Sequence, residues 1–225
     1  MKLAAGDKLG PYEILGLLGS GGMGEGYRAH DDRLRRDVAV KVSNAEFTER
    51  FTQEARAIAS LNHTNICHLY DVGPNYLVME LVEGETLKGP LAFDDALPIV
   101  LQLIDGIEAA HEKNIIHRDL KPANVLVNER AQAMVTDFGL AAGAGLEGGT
   151  PAYMAPEQWR GEPPDVRTDI YAFGCILYEL FTLHRVFAAR TEKDWRLSHL
   201  NERPYSPRAH RADPPAEPGL SLIHL

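Results

Sequence analysis

The residues able to do chemistry fall in a few short runs. Gly19-Ser20-Gly21-Gly22-Met23-Gly24 spells G-x-G-x-x-G, a spacing that lets backbone N–H groups approach a phosphate with no side chain in the way. Alone it reads equally well as a flexible turn. A dinucleotide site would need a helix next and an acidic residue beyond it. Here a β-type segment follows, ending in Val38-Ala39-Val40-Lys41. Lys41, between Val40 and Val42, reads by itself as a snorkelling surface lysine. Glu54 alters that reading. Phe51, Ala55, Ile58 and Leu61 recur at four- and three-residue spacing, the mark of an amphipathic helix, and Glu54 falls in the register that faces inward. A strand cation beside a helix carboxylate can hold α- and β-phosphates. A purely structural ion pair is the other reading of the two.

Further on come Ile116-His117-Arg118-Asp119-Leu120-Lys121-Pro122-Ala123-Asn124, then Asp137-Phe138-Gly139, then Gly149-Thr150-Pro151 running into Ala155-Pro156-Glu157, then Asp169-Ile170-Tyr171-Ala172-Phe173-Gly174. Together with the glycine run, the strand lysine and the helix glutamate, these motifs stand in the order found in protein kinases. From about Tyr12 to Phe187 the chain resembles the bacterial members of the eukaryotic-type Ser/Thr protein kinases. The resemblance implies transfer of the γ-phosphoryl of ATP, with Mg²⁺, to a Ser or Thr hydroxyl of a protein. It implies Asp119 meeting the acceptor hydroxyl and Lys121 lying against the γ-phosphate as the catalytic pair. Asn124 and Asp137 would hold Mg²⁺, a hard cation suited to oxygen ligands. ATP would be bound by the main chain from Gly19 to Gly24, by Lys41 held by Glu54, and by the main chain at Glu80 and Val82, with Met79 at the back of the pocket. Thr150 would shape the acceptor site. Asp169 would tie the catalytic loop to its helix, and Ile58, Leu69, His117 and Phe138 would stack into a spine between lobes.

The elements that must position these residues are legible in outline. Leu69 to Val72 and Tyr76 to Leu81 read as strands joined by a tight turn at Gly73-Pro74-Asn75. Asp94 and Asp95 open a helix with Ala96, Ile99, Val100, Leu103, Ile107 and Ala110 on one face, Pro98 near its first turn and Asn114 at its end. Val125 to Val127 and Ala133 to Thr136 are β-like, and Ile170, Phe173, Leu177 and Leu180 mark a second core helix. These elements predict an α+β class, and the resemblance implies a two-lobed, protein-kinase-like fold. On that resemblance residues 1–82 form a small antiparallel sheet with one helix, which would bind nucleotide. Residues 83–202 form a mainly helical lobe with the catalytic loop. Residues 203–225, rich in proline, form an irregular tail.

Composition narrows the alternatives. The chain has 225 residues, 23 Lys and Arg against 32 Asp and Glu, and a formal net charge of −9. It lacks the clustered cations of a nucleic-acid binder. Two cysteines without a C-x-x-C pattern argue against a zinc ribbon or disulfide scaffold and fit a cytoplasmic location. The apolar stretch ending at Phe181 is broken by Glu179, so no membrane span is expected.

Three features depart from the kinase pattern. Gly26 stands where the family has a valine roofing adenine. The connection from Lys41 to Glu54 is short, which leaves their meeting open. The family's last helices, with an arginine that pairs with the glutamate matching Glu157, are not recognisable, so the domain reads as C-terminally truncated and Glu157 as short of a partner. An inactive kinase fragment or pseudokinase acting by contacts is the alternative reading. A small-molecule kinase is disfavoured by Thr150 and the Ala155-Pro156-Glu157 segment.

Overall fold

The computed structural model describes residues 2–21, 24–138 and 149–210. The first part of the chain forms a six-stranded antiparallel sheet. Its strands are β1 (Lys8–Leu9), β2 (Tyr12–Gly21), β3 (Gly24–Asp31), β4 (Arg36–Val42), β5 (Leu69–Val72) and β6 (Tyr76–Glu80), in the spatial order β1-β2-β3-β4-β6-β5. Helix α1 (Glu49–Ala59) interrupts the strands, and Thr48 caps it by accepting a hydrogen bond from the Phe51 N–H. Its buried positions, Phe51, Ala55 and Ile58, are those the spacing predicts.

Alternation along β3 and β4 sends Tyr27, Ala29, Val38 and Val40 into a small core with Tyr12, Ile14 and Val78. The register places Gly26 opposite Gly19 on one side and Lys41 on the other. The glycine hairpin and the strand lysine therefore share one end of the sheet.

The second part contains the short strands β7 (Glu85–Thr86), β8 (Val125–Val127) and β9 (Ala133–Val135), paired in that order. Its helices are α2 (Phe93–His111), α3 (Pro156–Arg160), α4 (Val166–Thr182) and α5 (Glu192–Asn201). Because α2 begins at Phe93, Pro98 lies inside the helix rather than in its first turn. There it removes the bond that would run to the Asp94 carbonyl. Asp165 caps α4 within a capping box closed by Thr168.

The larger core runs through both parts. It joins Phe51, Ile58 and Leu69 to Leu103, Leu120, Phe138, Ile176 and Phe181. Within the predicted tail, Pro207–Ala209 form a single 3₁₀ turn, and residues 211–225 lie outside the described residues.

Candidate active site

The loop from His117 to Asn124 is held from below by one carboxylate. Asp169, on α4 and 1% exposed, accepts hydrogen bonds from the backbone N–H of His117 at 2.8 Å and of Arg118 at 2.9 Å. It also meets His111 Nε2 at 2.8 Å, a partner the sequence reading missed. Arg118 has φ of +70°, a left-handed conformation unfavourable for a residue with a Cβ. The two bonds to Asp169 hold that bend. The Gln158 side-chain amide adds a third clamp on the Arg118 carbonyl at 2.9 Å.

His117 is fully buried. Its Nδ1 accepts from the Asp119 N–H at 3.3 Å, so Nε2 carries the proton and donates to the Thr136 carbonyl at 2.9 Å. Its ring lies 4.6 Å from that of Phe138. Ile58 and Leu69 are buried in the same core as Phe138.

Above this base, Asp119 is 6% exposed and both its oxygens are engaged. Oδ1 accepts from the Thr150 N–H at 2.7 Å and the Thr150 hydroxyl at 2.9 Å. Oδ2 accepts from Lys121 Nζ at 2.6 Å, and Lys121 also reaches Thr150 Oγ1 at 2.7 Å. Asn124 Nδ2 donates to the Asp119 carbonyl at 2.8 Å. Gly149 permits this closeness. A Cβ there would lie 3.1 Å from the Arg118 carbonyl and 3.4 Å from Asp119 Oδ1. The structure thus gathers Asp119, Lys121, Asn124 and Thr150 into one cluster.

Across the cleft, Lys41 Nζ lies 2.9 Å from Asp137 Oδ2. Glu54 is not brought to Lys41. Among the described residues its ion pairs are with Arg50 at 3.1 Å and with Arg118 at 3.6 Å. Asp137 takes a φ of +63°.

The two candidate Mg²⁺ ligands fit a hard cation. Asn124 spends its Nδ2 on Asp119, which leaves its amide oxygen as the acceptor end, and Asp137 binds Lys41 through one oxygen of two.

Gly19, Ser20 and Gly21 close β2, and Gly24 opens β3, while Gly22 and Met23 lie outside the described residues. Gly24 has φ of +131°, and a Cβ there would come within 1.9 Å of the Val42 carbonyl, so no other residue fits. A Cβ on Gly19 would meet nothing, which leaves that part of the hairpin bare for a polyanion.

Glu80 ends β6. Its N–H is bonded to the His68 carbonyl, and its carbonyl receives the Cys67 thiol at 3.6 Å. Burial pushes that thiol up to about 12, so it stays a donor. Val82 follows two residues on.

Glu157 has a partner: its Oε1 accepts from the Thr168 hydroxyl at 2.6 Å. Beside it a cavity of about 550 Å³ opens between Pro156, Ile170, Tyr171, Cys175, Val186 and Pro204.

A two-lobed α+β fold, with a glycine hairpin over a strand lysine and an Asp-Lys-Asn-Thr cluster facing it, defines a phosphoryl-transfer class. The sequence model of the protein kinase domain family fits residues 12–219, and the chain belongs to that family. It is 39% identical to the serine/threonine-protein kinase PknB of Mycolicibacterium smegmatis, over 95% of this chain and 39% of that protein. It is 38% identical to the serine/threonine-protein kinase PrkC of Bacillus subtilis, over 96% of this chain and 37% of that protein. The chain therefore spans under two fifths of the length of these relatives. Among solved structures, the kinase domain of Mycobacterium tuberculosis PknI matches with a TM-score of 0.77 and 26% identity, covering 94% of this chain and 85% of that one.

Proposed function

We propose that this chain is an ATP- and Mg²⁺-dependent protein kinase acting on serine or threonine. The observation that carries the reading is the pair of Thr150 bonds to Asp119 Oδ1, at 2.7 and 2.9 Å. They hold a carboxylate beside a chain segment against which an extended acceptor can lie. The lobes divide near residue 82, with nucleotide on the first side and acceptor on the second.

Bound ATP with Mg²⁺ supplies the phosphoryl group that moves. The protein supplies position and charge, the main contributions in this chemistry. Asp119 accepts or orients the proton of the acceptor hydroxyl. Lys121 neutralises charge near the transferred group and fixes Asp119. The Asn124 amide oxygen and Asp137 hold the metal. Lys41 steadies the α- and β-phosphates, and the Glu80 carbonyl and Val82 main chain hold the base. Two buried free thiols, Cys67 and Cys175, fit work in a reducing, cytoplasmic compartment. Among the described residues no helix is long and apolar enough to cross a membrane.

The test is incubation with γ-labelled ATP, Mg²⁺ and a generic protein acceptor, followed by identification of the labelled amino acid. Phosphoserine or phosphothreonine is expected. Label confined to tyrosine, or found only on an added small alcohol, would contradict the assignment.

A further inference from the structure

Two consecutive residues, Cys67 and His68, hold the main chain and the carboxylate of Glu80. The Glu80 N–H donates to the His68 carbonyl at 2.9 Å. Its Oε2 accepts from the His68 N–H at 3.3 Å and lies 2.8 Å from His68 Nδ1. These contacts fix the residue, but none of them touches the peptide plane between Glu80 and Leu81, which carries the carbonyl. The register of β6 ends at Glu80, opposite Val38. The contact on that plane comes from Cys67, whose thiol donates to the Glu80 carbonyl at 3.6 Å.

Cys67 is itself anchored. It is 9% exposed, and its N–H donates to the Val135 carbonyl at 2.9 Å. Ile66 forms a parallel bridge with the same valine. Val135 closes β9 two residues before Asp137. One buried residue thus links the connector that follows β6 to the strand that leads into Asp137. Its thiol, pushed up to about 12 by burial, keeps its proton near pH 7. A carbonyl oxygen has two lone pairs. The thiol takes one from inside the core and leaves the other for a donor in the cleft.

We propose that Cys67 is a positioning residue for base recognition, its S–H holding the Glu80 carbonyl in the direction that accepts the exocyclic amine of adenine. The proposal rests on the nucleotide part of the kinase reading. It assigns the 6-amino group, rather than the purine ring, as the feature that residue 67 helps the chain to read.

The experiment displaces a fluorescent ATP analogue from the wild-type chain and from Cys67→Val, Cys67→Ala and Cys67→Ser, with Mg²⁺ present. The competitors are ATP and purine riboside 5′-triphosphate, which lacks the 6-amino group. Valine fills the space without a donor, alanine removes the donor without adding bulk, and serine keeps an O–H. The readout is the ratio of the two affinities, which a general loosening of the pocket does not move. Valine and alanine should lower the preference for ATP roughly two- to fivefold, the worth of one weak hydrogen bond. Serine should stay closer to the wild type than either. An unchanged ratio in the valine and alanine forms would overturn the proposal, even if both affinities fall. So would a serine form no better than alanine, or a wild type with no preference for ATP. If the ratio falls as expected but no form transfers phosphate to a Ser/Thr protein, the positioning role stands and the kinase reading fails.

Discussion

Arg118 holds the Glu54 carboxylate at 3.6 Å, while Lys41 lies 2.9 Å from Asp137. The loop that carries Asp119 thus occupies the helix glutamate expected on the strand lysine. Glu54 is also held by Arg50 one turn earlier on α1. On the proposed kinase reading, α1 would have to swing so that Glu54 exchanges Arg118 for Lys41 before turnover.

A double-mutant cycle tests that exchange. Lys41→Met and Glu54→Gln should couple by about 1–2 kcal/mol in kcat/KM for ATP, as residues that meet during turnover do. Arg118→Gln and Glu54→Gln should couple in the free protein's stability instead. Additive losses of kcat/KM for the first pair would show that Glu54 never reaches Lys41.

Gly26→Val should tighten nucleotide binding. A Cβ on Gly26 would meet only the Gly19 carbonyl, at an ordinary 3.7 Å, so the strand has room for it. Full burial of a valine is worth roughly 1.5–3 kcal/mol, and a flat base covers only part of the side chain. A gain of about 1 kcal/mol, somewhat under tenfold, is expected from titration of a fluorescent ATP analogue. Weaker binding by the valine form would mean that residue 26 does not roof the base.

Activation should not need phosphorylation between Asp137-Phe138-Gly139 and Thr150. Residues 140–149 read LAAGAGLEGG and contain no Ser, Thr or Tyr. Arg118, the cation beside Asp119 that a phosphate there would have to reach, is engaged by Glu54. Glu147, the one anion of that stretch, lies outside the described residues. Mass-spectrometric mapping of the active protein should find no stoichiometric phosphosite whose removal abolishes activity. One such site would defeat this expectation.

His199 should make the fold sensitive to acid. The folded imidazole is lowered from its ordinary 6.5 to about 4, so the unfolded chain binds the proton first as pH falls. Stability from this group is complete above about pH 6.5 and is lost on descending toward pH 4, by about 3 kcal/mol. His199 is 5% exposed and ringed by Phe187, Tyr171, Trp195 and Trp159, with the Tyr171 hydroxyl 2.7 Å from Nδ1, Cys175 and Glu157 acting on Tyr171, and Arg185 over Trp195. Denaturant melts of the wild type and His199→Phe at pH 7.5 and 4.5 should show a smaller acid loss in the variant. Parallel losses would place the acid sensitivity elsewhere.

The chemistry was legible because it comes in contiguous runs. Asp119, Lys121 and Asn124 share one loop, and a loop needs no long-range information to be recognised. Helices α1, α2 and α4 were legible from apolar spacing. Helix α5 was not: its buried positions are Trp195, Ser198 and His199, two of them polar, so no apolar stripe marks it. Pro98 falls in a first turn only if Asp94 and Asp95 open α2, and the helix begins earlier, at Phe93. The partner of Glu54 could not be read from spacing, since Arg118 and Lys41 are both cations and only the tilt of α1 decides between them. Thr168 as the partner of Glu157 was hidden for a similar reason. Its hydroxyl also accepts from the Asp165 N–H in the α4 capping box, and a capping threonine gives no sign of a second bond.

The most direct test of the account compares the wild type with Asp119→Asn, a change that keeps the shape of the side chain and removes its charge. Phosphoryl transfer from labelled ATP to a Ser/Thr protein should fall by about 10²-fold or more, the range for losing a positioned acid–base group. ATP affinity should stay within about twofold, since no nucleotide contact is assigned to Asp119. Equal turnover by the two forms, or loss of ATP binding together with turnover, would contradict the assignment of Asp119 to the acceptor hydroxyl.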